Sequence, residues 1–391
     1  MADTGHGPLS GIRIVEFAGI GPGPFCGMML ADHGAEVIRI DRASGSRGGS
    51  QPVTSKDVLA RGRKSIAIDL KSAEGVALAR KLAASADGII EGFRPGVMER
   101  LGLGPDELLA DNPKLVYGRM TGWGQTGPYA PWAGHDINYI ALAGALAHFG
   151  RAGGKPTPPI NMVGDFGGGG MMLAFGMTAA LLNVARGGPE STGGGQVIDC
   201  AMTDGTAVLM SMMHGMKAMG VWSEDLGANM LDTGAHFYDT YETADGKFVS
   251  IGSIEPQFYA ELRRIAGLAD DADFDTQHDR GRWGALKVKL ATLFKTKTRA
   301  EWDALMEHTD VCYAPVLTMG EAVEHPHNKA RGTFVEVGGA MQPAPAPRYS
   351  GTATATPEPA PMPGDQTEEV LGSLGLASQE IAKLREAGTV A

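Results

Sequence analysis

The 391-residue sequence has few cysteines and no excess of positive charge. It contains 34 lysines and arginines against 45 aspartates and glutamates, which gives a formal net charge of −11. Proteins that bind nucleic acid need a basic surface, so this balance excludes nucleic acid as the main partner. Any anionic ligand must instead be held by a local cluster of cations.

The three cysteines, Cys26, Cys200 and Cys312, lie far apart and form no Cys-x-x-Cys pair. This spacing argues against a metal site, and we expect buried, reduced thiols. The first eight residues contain no apolar segment typical of a signal peptide, and we find no apolar run that reaches membrane-spanning length. The sequence therefore predicts a cytoplasmic protein with no membrane partner.

The chain is long, and it is rich in glycine and methionine. Its length predicts two domains, each with a sizeable core. The 57 glycines allow backbones to approach closely, and the 20 methionines suit adaptable apolar surfaces. We assign most of these methionines to the core.

Strand and helix patterns alternate regularly through the first 121 residues. We predict strands over residues 11–18, 36–41, 65–70, 88–92 and 115–121, and helices ending at residue 30 and covering 73–84 and 105–110. Such alternation is typical of β-α-β units. The predicted fold class is therefore α/β, with a parallel sheet covered by helices.

Seven cationic residues accompany these elements, several of them just past predicted strand ends. Open α/β sheets bind ligands at the carboxyl ends of their strands, and arginines hold phosphates with paired hydrogen bonds. Each cation alone is typical of a solvated surface. Their clustering predicts a phosphate site that draws on Arg42, Arg61, Arg63, Lys64, Lys71, Arg94 and Arg100.

The first β-α-β unit is superficially similar to a nicotinamide dinucleotide site. Glycines follow the first strand, and Asp41 lies about twenty residues further on, where the acidic residue that binds the ribose would be expected. However, Pro24 occupies the place of the third glycine, and neither Pro22 nor Pro24 has the N–H group that would bind a pyrophosphate. We therefore reject this interpretation.

The segment 133–186 combines the residue types of an acid/base site. His135 precedes a loop rich in glycine and proline, and the run after Asp165, which passes through the glycines into the apolar segment 171–185, predicts a buried helix. Asp165 would then be its N-cap, which is most often a structural role, although free N–H groups there also suit an oxyanion. The four glycines 167–170 weaken a helix and indicate close approach by a ligand or a crossing helix.

The second half of the chain is predicted to be a mixture of helices and strands. Residues 197–219 indicate one or two Met-rich helices, and the alternating segments within 237–253 predict a hairpin. Pro256 fits the first position of a helix over 257–266, which puts Glu255 at a strand-to-helix turn. We also predict helices over 283–294, 299–308 and 368–387, a strand over 311–317 and an extended tether over 343–363.

Five stretches carry a resemblance to a known family. They are Gly-Pro-Gly-Pro-Phe-Cys-Gly-Met-Met-Leu-Ala-Asp-His-Gly-Ala-Glu-Val-Ile-Arg-Ile-Asp at 21–41, Gly-Arg-Met-Thr-Gly-Trp-Gly-Gln-Thr-Gly-Pro at 118–128, Ala-Gly-His-Asp-Ile-Asn-Tyr-Ile at 133–140, Gly-Asp-Phe-Gly-Gly-Gly at 164–169 and Ile-Glu-Pro-Gln-Phe-Tyr at 254–259. The first resembles the N-terminal signature of the family III CoA-transferases, and the other four are similar to the racemase branch of that superfamily. The resemblance covers nearly the whole chain, and the main departure is the turn at 188–195.

The resemblance implies a discontinuous large domain that is Rossmann-like and binds CoA, built from residues 1–200 and 326–391. It also implies linker helices over 201–232 and a small α+β domain over 233–325. Two subunits would form an interlocked homodimer. The active site would then lie between the large domain of one subunit and the small domain of the other.

The resemblance further implies that His135 and Asp165 are the two acid/base groups, with Glu255 paired to His135. Arg42 and Arg100 match positions at the CoA phosphates and adenosine, and segment 67–71 matches the adenine region. With the neighbouring cation included, the expected CoA-binding set is Arg42, Ala67, Asp69, Leu70, Lys71, Arg94 and Arg100. The expected partner is an acyl-CoA thioester, and we expect no metal and no separate cofactor, since CoA belongs to the substrate.

The residues agree with this chemistry, because inverting the carbon next to a thioester carbonyl needs one group to remove a proton and another to return one. An imidazole and a carboxylate can exchange these roles, and Glu255 would orient the imidazole. The predicted function is a racemase that acts on 2-methylacyl-CoA thioesters through an enolate. Two alternatives stay open: a CoA-transferase with Asp165 as nucleophile, and a non-catalytic acyl-CoA-binding protein.

Overall fold

A computed structural model describes residues 7–43, 54–187 and 193–391. The strands are β1 Arg13–Phe17, β2 Glu36–Arg42, β3 Arg63–Ile68, β4 Gly88–Glu91, β5 Val116–Thr121, β6 Gln196–Ala201, β7 Tyr238–Glu242, β8 Phe248–Gly252, β9 Tyr313–Val316, β10 Phe334–Val337 and β11 Ala340–Pro343. The α-helices are α1 Pro22–Asp32, α2 Ala73–Ala84, α3 Val97–Arg100, α4 Pro105–Asp111, α5 Asp136–Leu142, α6 Met172–Arg186, α7 Met202–Leu209, α8 Ser211–Ala218, α9 Pro256–Ile265, α10 Arg280–Phe294, α11 Arg299–Met306, α12 Met319–Glu324, α13 Pro326–Arg331, α14 Thr367–Ser373 and α15 Ser378–Glu386. A π-helical segment, Met162–Met171, leads directly into α6.

The chain divides into two compact units. The first comprises Met1–Ala143, Ile160–Leu209 and Gly332–Ala391, and the second comprises Gly144–Pro159 and Met210–Arg331. Three stretches fall differently from the predicted bounds: residues 144–159 belong to the second unit, and so do residues 326–331 and most of the predicted linker. The first difference has a visible cause, because Arg151 forms an ion pair of 2.8 Å with Asp239 on β7.

The central sheet of the first unit has six parallel strands in the order β3-β2-β1-β4-β5-β6. Neighbouring residues of its strands enter different buried clusters, as Ile89 and Ile90 do on β4. One cluster joins the sheet to α2, α4, α14 and α15, and the other joins it to α1 and α6. Both faces of the sheet are therefore covered by helices, which confirms the predicted α/β class with a parallel sheet.

The strand order reverses between β1 and β4, since β2 and β3 lie on one side of β1 and β4 to β6 on the other. In open α/β sheets the loops that leave the two strands at such a point separate, which creates a crevice at their carboxyl ends. The loop after β1 and the loop after β4 are the relevant segments here.

Most predicted elements are found within two residues of their expected bounds. The helix predicted over 73–84 is α2, whose N-cap Ser72 accepts a hydrogen bond of 3.0 Å from the N–H of Gly75. Two predictions were wrong in kind. Residues 196–201 form the edge strand β6 instead of the start of a helix, and the predicted final helix is two helices, separated at Gly375 with φ +85°.

The glycines 168–170 are explained by crossing helices, one of the two causes that the sequence allowed. A Cβ atom on Gly205 of α7 would lie 1.8 Å from the carbonyl oxygen of Gly168. On the other side, a Cβ atom on Gly170 would lie 2.8 Å from the carbonyl oxygen of Pro22 in α1. The π-helical segment therefore packs backbone against backbone on both α7 and α1.

The continuous helical segment Met162–Arg186 is long and apolar enough, by length and composition, to cross a membrane. The expectation that no segment reaches this length was wrong, because the helix starts at Met162, before the N-cap predicted at Asp165. The same composition is typical of a core helix, and this helix packs on the sheet. Leu173 and Met177 are fully buried, and a Cβ atom on Gly118 of β5 would lie 2.8 Å from the Met177 sulfur.

The second unit contains the antiparallel sheet β7-β8-β9, so the predicted hairpin and the following strand are confirmed. Helices α9, α10 and α11 pack around a buried aromatic cluster that includes Phe237, Phe294 and Trp302. Helix α9 begins at Pro256 with Glu255 as its N-cap residue, as the sequence predicts.

The contact between α7 and the π-helical segment predicts a large effect of one added methyl group. Gly205→Ala should lower the free energy of unfolding by about 3 kcal/mol, because overpacking outweighs the gain of up to about 1 kcal/mol in helix propensity. Gly372→Ala on α14 is the matched control, since its Cβ atom would meet nothing within 4 Å. Urea denaturation of both variants measures the difference. Equal stability of Gly205→Ala and wild type would contradict the close contact.

Candidate active site

A pocket of about 590 Å³ opens at the carboxyl ends of β1 and β4. It is lined by residues 19–24 after β1 and 92–95 after β4, and by Trp123, His135, Tyr139 and Asp165. We call it the switch-point pocket, because it lies where the strand order reverses and where open α/β sheets bind ligands. The two predicted acid/base residues, His135 and Asp165, therefore line one pocket within the first unit.

His135 lies at the N-cap position of α5 and its side chain is exposed. Its backbone N–H donates a hydrogen bond of 3.1 Å to Oδ1 of Asn138, which fixes the start of the helix. The preceding residue, Gly134, accepts a hydrogen bond from the hydroxyl group of Tyr139. A Cβ atom on Gly134 would lie 2.7 Å from the Tyr139 ring, so glycine is needed for this contact. The loop that carries His135 is thus held on a buried tyrosine.

Asp165 lies inside the π-helical segment and is not the N-cap that the sequence predicted. Its N–H donates a hydrogen bond of 2.8 Å to Oδ1 of Asp136, and its Oδ2 accepts one of 3.0 Å from the amide group of Asn161. Gly21, with φ +74°, lies beside the carboxylate, because a Cβ atom there would be 3.3 Å from Oδ2 of Asp165. Asp165 therefore lies in the first turn of this segment, and its own N–H group is engaged by Asp136.

The surroundings of Asp165 alter its acidity. Burial raises the pKa of this half-buried carboxyl group above its usual value, and the negative charge of Asp136 acts in the same direction. The hydrogen bond from Asn161 and the positive charge of protonated His135 oppose the rise. Burial also raises the pKa of Tyr139 to about 12, so this hydroxyl group stays protonated at neutral pH. A carboxyl group with a raised pKa is better matched to proton exchange with an imidazole.

A second pocket, of about 830 Å³, lies at the carboxyl ends of β1, β2 and β3. It is lined by Arg42, Asp69, Leu70 and Lys71 from the predicted CoA-binding set, and we call it the strand-end pocket. It shares Phe17, Ala18, Arg42 and Phe93 with the switch-point pocket. An elongated ligand could therefore occupy both.

Ala67 and Arg100 do not line either pocket. Ala67 is fully buried, its N–H donates to the hydroxyl group of Thr367, and its carbonyl oxygen accepts from the N–H of Ala391. This position is therefore closed to direct contact with a ligand. Arg100 is exposed on α3, next to Leu101, which does line the strand-end pocket.

Three of the seven predicted phosphate ligands are engaged elsewhere. Arg61 pairs with Asp32 at 2.5 Å, Arg63 with Glu16 at 3.0 Å, and Lys64 with both Glu36 and Glu369. The reason is that Arg61 precedes β3 and Arg63 and Lys64 are its first two residues, whereas both pockets lie at the carboxyl ends of the strands. These cations therefore lie at the amino end of the strand, and the phosphate role predicted for them was wrong.

Arg42, Lys71 and Arg94 follow the carboxyl ends of β2, β3 and β4. Within the three described ranges, none of them forms an ion pair with another residue. Arg42 lines both pockets, and Arg94 lines the switch-point pocket. These three side chains remain available for an anionic ligand.

Glu255 belongs to the second unit, where its side chain is exposed and makes no capping hydrogen bond. Its pairing with His135 stays a prediction. Cys26 and Cys200 are buried thiols, as expected, but Cys312 is exposed, so its predicted burial was wrong. It ends the turn before β9, where its backbone has a positive φ of 58°.

Sequence reasoning missed Asp136 and Asn161, the two side chains that contact Asp165. Asn161 lies four residues before Asp165, the spacing at which helical side chains meet, but the glycines concealed the helix. Asp136 acts across 29 residues of sequence, so no local pattern indicates its contact.

Comparison with known proteins identifies the family of the chain. Residues 9–367 match the CoA-transferase family III. The chain is 47% identical to the α-methylacyl-CoA racemase of Mus musculus over 379 residues, 96% of either chain, and 34% identical to the succinyl-CoA–D-citramalate CoA-transferase of Chloroflexus aurantiacus over 343 residues, 84% of this chain and 83% of that one.

The fold is similar to the crystal structure of a CAIB/BAIF family protein from Brucella suis, with a TM-score of 0.80 at 26% identity over 94% of this chain and 100% of that one. The family match covers well over half of the chain, and the mouse relative is similar along nearly all of it. On this evidence the chain belongs to the CoA-transferase family III.

Proposed function

We propose that this protein is a racemase that inverts the α-carbon of 2-methylacyl-CoA thioesters by proton transfer through an enolate. The observation that carries the proposal is that His135 and Asp165, an imidazole and a carboxyl group, line the same pocket at the switch point of the sheet. The likeness to the mouse α-methylacyl-CoA racemase supports the same reaction and substrate class.

The reaction needs two groups of opposite protonation on the two faces of one carbon. When Asp165 is ionised it removes the α-proton from one face, and protonated His135 returns a proton to the other; the reverse direction exchanges the roles. Each group can contribute a factor of about 10² to 10⁴ to the rate. The raised pKa of Asp165 supports this role, because it brings the carboxyl group closer to the imidazole in proton affinity.

The enolate oxygen needs N–H donors, and the residues after Asp165 lie inside the π-helical segment instead of at its start. The start of α5, directly after His135, offers an alternative. The first N–H groups of any helix lack a carbonyl partner within that helix, and the helix dipole there favours negative charge. This arrangement would stabilise the enolate beside one of its two acid/base groups.

The strand-end pocket suits the nucleotide part of CoA, and its junction with the switch-point pocket suits the pantetheine arm. Arg42, Lys71 and Arg94 would neutralise phosphates, and Asp69 and Leu70 would border the adenine. Ala67 would contribute only as part of the strand beneath. No separate cofactor enters this scheme, since CoA arrives as part of the substrate.

The strand order 3-2-1-4-5-6 supports a Rossmann-like description of the large domain. We further propose an interlocked homodimer in the cytoplasm, in which Glu255 of one subunit orients His135 of the other. A carboxylate beside that imidazole would favour its protonated form.

The second candidate is a CoA-transferase in which Asp165 attacks the thioester and forms a mixed anhydride. The relative from Chloroflexus aurantiacus favours it, although its identity is lower than that of the mouse racemase. A nucleophile of this kind does not need an imidazole opposite it, whereas proton transfer between two faces does. The presence of His135 in the same pocket therefore favours the racemase.

Incubating the enzyme with one epimer of a 2-methylacyl-CoA in deuterated water, without any free carboxylic acid, distinguishes the racemase from the CoA-transferase. We expect epimerisation with deuterium at the α-carbon, and a loss of at least about 10²-fold in kcat for both His135→Ala and Asp165→Ala, because each supplies one proton-transfer step. Chiral chromatography and mass spectrometry follow the two events. Turnover that begins only when a free carboxylic acid is added would support the transferase instead.

The two pockets predict which arginine holds CoA most strongly. Arg42→Ala should raise KM for the acyl-CoA about tenfold or more, because a charge-assisted phosphate contact is worth about 1.5–3 kcal/mol. The variant should change kcat little, because the contact is equally strong in the ground state and in the transition state. Arg100→Ala should raise KM less, as Arg100 lines neither pocket. The control is Arg80→Ala, which removes an exposed cation paired with Asp111 on α4. A larger effect at Arg100 than at Arg42 would contradict this assignment.

The proposed dimer predicts complementation between two inactive chains. If Glu255 serves the partner's site, mixing His135→Ala chains with Glu255→Ala chains should yield heterodimers with one intact and one doubly damaged site. These should recover a clearly measurable fraction of wild-type activity, whereas each homodimer has only damaged sites. Wild-type chains taken through the same re-assembly are the control. Verified heterodimers without any gain would place both residues in one chain's site.

A further inference from the structure

The carboxyl group of Asp136 is a buried polar group that adjoins both acid/base residues. Asp136 is 6% exposed and directly follows His135 in the first turn of α5. Its Oδ1 accepts the N–H of Asp165 at 2.8 Å, and its Oδ2 is buried without a hydrogen-bond partner among the described residues. Leaving a buried carboxylate oxygen without a partner costs free energy, so this arrangement needs a compensating role.

The geometry gives that role. Asp136 is covalently attached to His135 and hydrogen-bonded to the backbone of Asp165, so it links the two acid/base residues directly. The link is also tightly enclosed, because a Cβ atom on Gly164 would lie 2.5 Å from Oδ1 of Asp136. Oδ1 of Asp136 is bonded to the segment that carries Asp165, and Gly164 of the same segment packs against it. The carboxyl group therefore cannot move without moving that segment.

We infer that Asp136 is a positioning residue whose side chain sets the separation of His135 and Asp165, so that a proton taken from one face of the substrate is returned from the other. This inference rests on the proposed racemase function and adds a residue to it. Asp136 itself acts through the backbone of Asp165 and not on the substrate.

A second effect follows from the charge of Asp136. The titratable groups that face Asp165 are Asp136, His135 and Tyr139, all on or next to α5. The other two neighbours carry no charge: Asn161 has a neutral amide, and Gly21, in the loop after β1, has no side chain. After burial, the like charge of Asp136 is the remaining cause that raises the pKa of Asp165. Removing this charge should therefore lower the pKa of Asp165 and move the acidic limb of its pH–rate profile to lower pH.

Three variants separate geometry from charge. Asp136→Ala removes the acceptor and the charge, and Asp136→Asn keeps an acceptor oxygen but removes the charge. Gly164→Ala keeps Asp136 and displaces its carboxyl group. The control is Asp106→Asn, which removes one exposed carboxylate on α4 and so changes net charge by the same amount. Circular dichroism and thermal unfolding establish that each variant is folded.

The decisive measurement is the ratio of two rates for one 2-methylacyl-CoA epimer in deuterated water: α-deuteration with retention, and inversion. If the separation of the two groups is disturbed, one group can still remove the proton and return deuterium, but transfer from the opposite face fails. Asp136→Ala and Gly164→Ala should raise the ratio of retention to inversion at least about tenfold, with kcat for inversion reduced on the order of 10²-fold and KM nearly unchanged.

Asp136→Asn should keep the wild-type ratio and show the acidic limb at lower pH, and Asp106→Asn should change neither. The inference is overturned if folded Asp136→Ala or Gly164→Ala inverts with the wild-type ratio, or if Asp136→Asn raises the ratio as much as alanine does. If Asp136→Ala does not fold, Gly164→Ala and Asp136→Asn decide the question. If the wild-type enzyme neither deuterates nor inverts the α-carbon, the proposed function is overturned, and the inference with it. If the wild type inverts normally and the variants do too, only the inference is overturned.

Discussion

Close packing of the glycine-rich π-helical segment on α1 and α7 determines where the candidate site lies. The backbone of Gly168 contacts Gly205, and that of Gly170 contacts Pro22, at distances that no side chain would permit. This packing carries Asp165 to the loop after β1 and to the start of α5, where Asn161 and Asp136 bind it. The same enclosure partly removes the carboxyl group from water, which is why its pKa rises.

The site therefore joins two kinds of structure. The sheet is a rigid frame, buried on both faces, and its order of strands creates the crevice between the loops after β1 and β4. The acid/base residues come from later segments that pack into this crevice, and His135 is supported there by the buried ring of Tyr139. Proton transfer needs fixed distances, and a frame of this kind provides them better than exposed loops.

The parts of this arrangement that are local in sequence could be predicted, and those that depend on distant contacts could not. The helix α2 has its capping residue and apolar period within one short segment, so its bounds were correct. The strand β6 is continuous with the apolar start of α7, which concealed it. Asp165 was assigned as a cap because the run after it predicts a helix, whereas the helix begins at Met162, where tertiary packing overrides the low propensity of its glycines. His135 and Asp165 came from the family resemblance, and the structure adds that they line one pocket.

The distribution of charge explains how an acidic chain can accept a polyanionic ligand. Two arginines that were predicted to bind phosphates form buried ion pairs at the amino end of the sheet instead. They are Arg61, paired with Asp32, and Arg63, paired with Glu16. Arg42, Lys71 and Arg94 at the carboxyl end have no such partner within the described ranges. Because salt screens exposed charges beyond about 8 Å at physiological ionic strength, a phosphate at these strand ends responds to the nearby cations more than to the net charge of −11. Binding of an anion here thus depends on Arg42, Lys71 and Arg94, which keep their charge available while Arg61 and Arg63 are paired at the amino end.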